Sequence, residues 1–74
     1  MQAEADRLKT LTPTELEILR QVVDGRRNAA VAQVLNLSPR TVETYRTRIM
    51  RKLDVDSLPA LVKLALRHGL TQLG

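Results

Sequence analysis

The sequence predicts an all-α fold, a four-helix bundle with a central helix-turn-helix. Leu, Val and Ala dominate its apolar residues and Tyr45 is its one aromatic residue, a composition that favours helices over strands. Apolar residues recur at helical spacing in four segments, each bounded by residues typical of helix ends. The length of 74 residues fits one domain.

Residues 1–10 show no clear amphipathic period, which predicts a linker or tail at this end of the chain. The folded domain is therefore expected over residues 11–74. Within the first ten residues, Leu8 is the candidate to pack against the core of that domain.

The first predicted helix begins after Thr12. Thr12 suits the N-cap, Pro13 the first helical position and Glu15 the third, so that Thr12 and Glu15 can form a capping box. Gly25 can adopt the left-handed conformation that ends a helix. The apolar stripe between these ends comprises Leu16, Leu19, Val22 and Val23, with Ile18 at its edge.

Two helices with a short turn between them follow. Asn28 is the predicted N-cap of the second helix, and Asn36 can end it in the left-handed conformation. Ser38 suits the N-cap of the third helix and Pro39 its first position, so that helix is expected over residues 39–53. The turn of about three residues makes the two helices cross steeply, as in a helix-turn-helix. The buried side of the second helix is expected to comprise Val31, Ala32, Val34 and Leu35.

The fourth predicted helix runs from about Leu58 to His68 and has more apolar residues than one buried face requires. Its core stripe is expected to comprise Leu58, Leu61, Val62 and Ala65, with Leu64 and Leu66 to either side. Extra apolar groups beside a core stripe indicate a contact surface, and a symmetric dimer through Leu58, Leu61 and Leu64 is the favoured interpretation. The alternative is a broad core contact in a small domain.

Basic residues concentrate in the middle of the chain. The net charge is +4, yet residues 26–52 hold seven basic residues and a single acidic one, Glu43, so this stretch alone carries +6. A basic centre between neutral or acidic ends indicates a surface that faces a polyanion.

The third helix has two chemically different faces on a helical wheel. The buried side comprises Val42, Tyr45, Ile49 and Leu53; the outer side comprises Arg40, Thr44, Thr47 and Arg51, flanked by Glu43 and Arg48. Arg can bond guanine through two hydrogen bonds, Thr can bond bases or touch the thymine methyl, and Glu can accept from cytosine. The pattern therefore predicts that this helix reads double-stranded DNA from the major groove.

The basic helix has two other interpretations. An ordinary solvated helix face would more often alternate Lys and Glu. A helical module that docks on a protein such as RNA polymerase through this basic face would favour aromatic and apolar anchors, and the outer face has none.

Other functional classes find little support in the residues. Without cysteines the chain has neither disulfides nor thiolate metal sites, and we expect no metal and no cofactor. The one histidine, His68, lies near a helix end, while Ser38 and Ser57 suit N-caps better than nucleophiles, so the chain is not expected to be an enzyme. No apolar run approaches the roughly 20 residues that cross a membrane, and no signal peptide is visible, which predicts a cytoplasmic protein.

At these residues the sequence resembles the C-terminal output domain of LuxR-type transcription regulators, also called the NarL/FixJ or GerE family. Residues 11–15 resemble the family's opening Leu-Thr-x-x-Glu, and residues 25–35 resemble its Gly-x-x-Asn-x-x-Ile-Ala-x-x-Leu. The most specific match is the run from Leu37 to Glu43, continued by the Lys-Leu ending at residues 52–53. Residues 57–62 are similar to the FixJ branch of response regulators.

The resemblance implies a four-helix domain that binds DNA and pairs with a second copy through its last helix. It implies an output domain of a response regulator or a small stand-alone regulator. It places base contacts at Glu43, Thr44 and Thr47, and phosphate contacts at Asn28, Arg40, Thr41, Tyr45, Arg48 and Arg51.

Overall fold

The computed structural model describes residues 2–71, and side chains from residue 3 onward. That part of the chain has α-helices and no strand, which confirms the all-α fold class, but it has five helices where four were predicted. They are α1 (Gln2–Leu8), α2 (Pro13–Val23), α3 (Asn28–Leu35), α4 (Pro39–Leu53) and α5 (Leu58–Arg67).

The additional helix, α1, forms where an irregular linker or tail was expected. It has no apolar stripe of its own, but Leu8 packs against the core and the Glu4 carboxylate accepts hydrogen bonds from Arg67 and His68. Because these partners are distant in sequence, the local pattern could not reveal the helix. The division into residues 1–10 and a domain over 11–74 stays a prediction, and Met1 and residues 72–74 lie outside the described part.

The predicted helix ends are confirmed at three of the helices. The capping box of α2 is complete: Thr12 Oγ1 accepts from the Glu15 backbone N–H at 3.1 Å, and Glu15 Oε1 accepts from the Thr12 N–H at 2.9 Å. Ser38 Oγ and Ser57 Oγ cap α4 and α5 by accepting from the backbone N–H groups of Thr41 and Ala60, without a reciprocal bond, and each serine is followed by Pro in the first turn. These caps satisfy N–H groups that have no partner inside a helix.

The second predicted helix differs from α3 in two details. Arg27 is its N-cap and makes no side-chain capping bond, while Asn28 is the first helical residue. Val34 was predicted on the buried side but is 57 % exposed, because α2 and α4 cover this short helix only on the side of Val31 and Ala32. Asn36 ends α3 in the left-handed conformation, with φ of 56°, as predicted.

The core lies between α2, α3, α4 and α5. Its twelve buried apolar residues are Ile18, Leu19, Val22, Val23, Val31, Ala32, Val42, Ile49, Leu53, Leu61, Leu64 and Ala65. Ile18 was expected at the edge of its stripe and is fully buried. Within residues 2–71, no helix is long and apolar enough to cross a bilayer.

The buried face of α5 corrects the expected dimer contacts. Leu64 and Leu61 are 0 % and 3 % exposed, since the face that packs against α2 is the stripe of Leu61, Leu64 and Ala65. Neither leucine is therefore available to a second copy. The apolar groups that α5 does expose are Leu58, at 43 %, and Leu66, at 48 %.

Candidate nucleic-acid interface

The turn between α3 and α4 fixes where the third predicted helix, now α4, points. The backbone N–H of Leu37 donates to the Ala32 carbonyl at 2.8 Å, and the half-buried Leu37 side chain packs against the core. Ser38 Oγ accepts from the Thr41 N–H at 3.1 Å and lies 2.8 Å from Thr41 Oγ1. The turn thus closes α3 and starts α4 without a flexible segment between them.

The two faces of α4 follow the helical wheel. Val42, Ile49 and Leu53 are buried, and Tyr45 is half-buried with its ring against the core. Six of the nine residues predicted to contact DNA are exposed: Arg40, Glu43, Thr44, Thr47, Arg48 and Arg51. The other three, Asn28, Thr41 and Tyr45, are half-buried. The exposure of the six follows the helical wheel, while the DNA contacts of all nine stay predictions.

Thr44 and Thr47 form the floor of the exposed face. Shallow depressions beside them are bordered by Arg40 and Glu43 on one side and by other arginines of α4 on the other. Thr44 Oγ1 donates to the Arg40 carbonyl at 3.2 Å, so in this state its oxygen offers lone pairs to a donor. The Thr47 hydroxyl has no protein partner among the described residues and can donate or accept. Short side chains here let a base edge approach the helix closely.

Tyr45 and Arg48 are held together at the edge of this face. The Arg48 guanidinium lies over the Tyr45 ring, 5.4 Å from its centroid, which is within the range of a cation–π interaction. The stacked guanidinium is exposed and fully able to donate hydrogen bonds. The structure thus brings together two of the residues predicted to contact phosphate.

Within residues 2–71, the arginines of the exposed face of α4 form no ion pair with an acidic residue. In the part of the chain that the structure describes, the ion pairs join Arg7 to Asp54, Lys52 to Glu15, and both Arg67 and His68 to Glu4. None of them involves Arg40, Arg48 or Arg51. No ion pair within residues 2–71 neutralises these three arginines, and together they outweigh the one acidic residue of this face, Glu43, so the field over the face favours an anionic ligand.

Asn28 is joined to α4 by a residue that the sequence reasoning missed. Arg46 Nη1 donates to Asn28 Oδ1 at 2.8 Å, across the groove between the beginning of α3 and the middle of α4. Arg46 is half-buried, and on the wheel it lies next to the buried stripe. A charged residue beside a core stripe needs a polar partner. This requirement was the signal in the sequence that could have indicated a partner for Arg46.

Lys52 and Glu15 fasten the end of α4 to the beginning of α2. Lys52 Nζ lies 2.7 Å from Glu15 Oε1 and also donates to the Thr10 carbonyl at 3.2 Å. Burial, which leaves the Glu15 side chain 2 % exposed, acts to raise its pKa. The hydrogen bonds from Lys52 and Thr12 outweigh burial, so the pKa of Glu15 lies below its ordinary value. The sequence pattern indicated only the capping box at Glu15, and the bond to Lys52 is an addition from the structure.

Comparison with known proteins places this arrangement in a family. The family model of bacterial regulatory proteins, luxR family, matches residues 9–65. The response regulatory protein YgeK of Escherichia coli (strain K12) is 52 % identical over 59 residues, which are 80 % of this chain and 40 % of that protein. The transcriptional regulatory protein FixJ of Rhizobium meliloti (strain 1021) is 46 % identical over 63 residues, 85 % of this chain and 31 % of FixJ.

The oxygen regulatory protein NreC of Staphylococcus haemolyticus (strain JCSC1435) is 45 % identical over 65 residues, 88 % of this chain and 30 % of NreC. The chain thus spans less than half the length of these relatives. They are regulators by name, which supports the expectation that the chain is not an enzyme. The chain belongs to the luxR family of bacterial regulatory proteins and is a DNA-binding helix-turn-helix domain.

Proposed function

We propose that the chain regulates transcription by binding double-stranded DNA sequence-specifically, with α4 in the major groove. The observation that carries this proposal is the exposed face of α4, where short hydroxyl side chains are surrounded by arginines that form no ion pair in the described part of the chain. The tight turn before α4 leaves its outer face exposed on a small domain, as is usual for the helix of a helix-turn-helix that enters the major groove.

Base choice is assigned to Glu43, Thr44 and Thr47. The Thr44 oxygen accepts readily because its proton is engaged with the Arg40 carbonyl, which suits the amino group of adenine or cytosine. Glu43 is also acceptor-only, and phosphates would repel it, so its place on this face is explained best by a base amino group.

Phosphate contacts are assigned to the residues around that centre. Arg40 and Arg51 border the threonines, and the stacked pair of Tyr45 and Arg48 forms one flank. Thr41 and Asn28 stand at the beginnings of α4 and α3. The first N–H groups of α3 receive no side-chain cap, and such groups at a helix N-terminus attract phosphate oxygens.

A homodimer on DNA is proposed through the exposed apolar side of α5. Leu58, half-buried Val62 and Leu66 are spaced four residues apart, so they share one side of the helix. Pairing this side with its copy about a twofold axis would present two α4 helices to an inverted repeat. Leu58 is thus retained from the sequence-based set, while Val62 and Leu66 replace Leu61 and Leu64.

The relatives support a proposal for the biological setting. YgeK is named as a response regulatory protein, and the segment that it shares with this chain is under half of its length. We propose that the chain acts as the output domain of such a two-component regulator, or as a small stand-alone regulator, in the bacterial cytoplasm.

The test is a selection of binding sites from random duplex DNA, followed by affinity measurements at several salt concentrations. An enriched inverted repeat and a steep decline in affinity with salt are expected. Arg51→Ala should lower the salt slope by about one relative to Arg20→Ala, which removes the same charge from an exposed site on α2. Absence of binding at low salt, or equal slopes for both variants, would contradict the proposal.

A further inference from the structure

We propose that Arg46 is a positioning residue for DNA binding, which turns the Asn28 side-chain amide so that its N–H donors face a phosphate. This inference rests on the proposed DNA-binding function. Arg46 belongs to neither the predicted base contacts nor the predicted phosphate contacts, and it acts through Asn28.

The chemistry of the pair fixes the orientation of the amide. A guanidinium has five N–H donors and no acceptor, so Arg46 can engage only the oxygen of the Asn28 amide. The 2.8 Å bond from Nη1 to Oδ1 is of this kind. With the oxygen held by Arg46, the Nδ2 group lies on the opposite side of the planar amide and keeps both donors. In the described residues Nδ2 has no protein acceptor.

The place of Asn28 makes that orientation consequential. Asn28 is the first residue of α3, and Arg27, its N-cap, supplies no side-chain hydrogen bond. The backbone N–H groups at this helix end and the Asn28 Nδ2 group are therefore all donors. The opposite orientation of the amide would put a carbonyl oxygen beside them, and that oxygen would repel a phosphate.

The half-buried position of Arg46 explains why it positions another group. Its guanidinium lies in the groove between α3 and α4, lined also by Glu43, Thr47 and Met50. By contrast, Arg40, Arg48 and Arg51 are exposed on the outer face. The bond also joins the two helices of the helix-turn-helix. It therefore fixes the position of the Asn28 Nδ2 group on α3 relative to the residues of α4 that are proposed to contact bases.

A double-mutant cycle tests the proposal. Arg46→Met, Asn28→Ala and the double variant are compared for affinity to one duplex at fixed low salt, and a generic duplex suffices because phosphate contacts are independent of sequence. Each single substitution should weaken binding about five- to tenfold, and the double variant no more than the worse single. If the double variant instead loses the product of the two factors, Arg46 and Asn28 act independently and the proposal is wrong.

The matched control separates positioning from direct contact. Arg20→Met removes the same charge from an exposed position of α2. Arg46→Met should share its salt slope, because neither arginine neutralises a phosphate; a slope lower by about one for Arg46→Met would mean direct contact and overturn the proposal. A wild-type chain that does not bind the duplex would refute the proposed DNA binding itself. Binding unaffected by Asn28→Ala would refute this inference and the phosphate contact assigned to Asn28, but not DNA binding by the outer face of α4.

Nuclear magnetic resonance distinguishes positioning from simple bracing of α3. In the wild-type chain, the Asn28 Nδ2 protons should shift when duplex is added. In Arg46→Met these protons should no longer respond, while the backbone amide shifts of Val31 and Ala32 stay within their wild-type range. Displaced backbone signals in α3 would mean that Arg46 only braces the helix, and the proposal would fall.

Discussion

Replacing Lys52 by Met removes the cation that faces the buried Glu15 carboxylate. Breaking a fully buried ion pair costs about 3–5 kcal/mol. Here the Lys52 side chain is 32 % exposed, and the Glu15 carboxylate still accepts the hydrogen bond from the Thr12 N–H. We therefore expect the free energy of unfolding to fall by about 2–3 kcal/mol. In a domain of this size, that loss lowers Tm by roughly 10–20 °C.

The pH dependence identifies the cause of this loss. In the wild-type chain the pKa of Glu15 is lowered, so the pair stabilises the fold above the ordinary value of 4.5 and loses its effect as the pH falls through the folded-state pKa. In Lys52→Met, burial is no longer opposed by Lys52, so the pKa of Glu15 moves upward. The ionised carboxylate then destabilises the fold at neutral pH, and protonation relieves that cost in acid. The gap between variant and wild type should therefore narrow from pH 7 to pH 3.

Thermal unfolding followed by circular dichroism measures both effects. Lys63→Met is the matched control, because Lys63 is exposed on α5 and forms no ion pair within residues 2–71. Equal Tm values for the two variants at pH 7 would refute the assigned role of the pair. A gap that stays constant with pH would show that lost packing of the Lys52 stem, and not the stranded carboxylate, causes the change.

Four further predictions concern the exposed surfaces. Thr47→Ala should change base preference at one or two operator positions in a repeated site selection; an unchanged preference would remove Thr47 from the base readers. Arg48→Ala should weaken all duplexes about equally and lower the salt slope by about one, and unaltered affinity and slope would contradict its phosphate role. Leu66→Glu should reduce binding to an inverted repeat but not to a single half-site, and an equal loss on both would argue against the α5 dimer. The hydrogen bonds from α5 lower the pKa of Glu4 to about 2, so Glu4→Gln should release α1 and speed tryptic cleavage after Arg7, whereas an unchanged cleavage rate would mean that other contacts hold α1.

Features encoded in a few neighbouring residues could be predicted from the sequence. The capping box at Thr12 and the left-handed turn at Asn36 depend on residues three or four positions apart. The exposed face of α4 could be predicted because apolar residues recur at helical spacing along its 15 residues, which is long enough to define a buried side. From these local signals the helix-turn-helix and most residues of the candidate interface could be predicted.

Features that depend on which helix packs where could not be predicted in this way. The apolar residues of α5 allow more than one buried face. Its packing on α2 decides that Leu64 is buried and Leu66 is exposed. The short α3 has too few residues to reveal that Val34 is exposed. The bond from Arg46 to Asn28 and that from Lys52 to Glu15 join residues 18 and 37 positions apart, beyond any local pattern.

The way α4 is attached to the rest of the domain explains how one helix can both pack in the core and present side chains to DNA. Its apolar face fixes the rotation of the helix about its axis, since Val42, Ile49 and Leu53 are each at most 1 % exposed. Polar bonds from Arg46 and Lys52 leave α4 beside that face and reach Asn28, Glu15 and the Thr10 carbonyl. Among the described residues, the one hydrogen bond from an outer-face side chain is that of Thr44, which stays within α4. Substitutions on the outer face should therefore alter affinity or base choice while stability is retained, and substitutions of Arg46 or Lys52 should alter stability or the placement of donors.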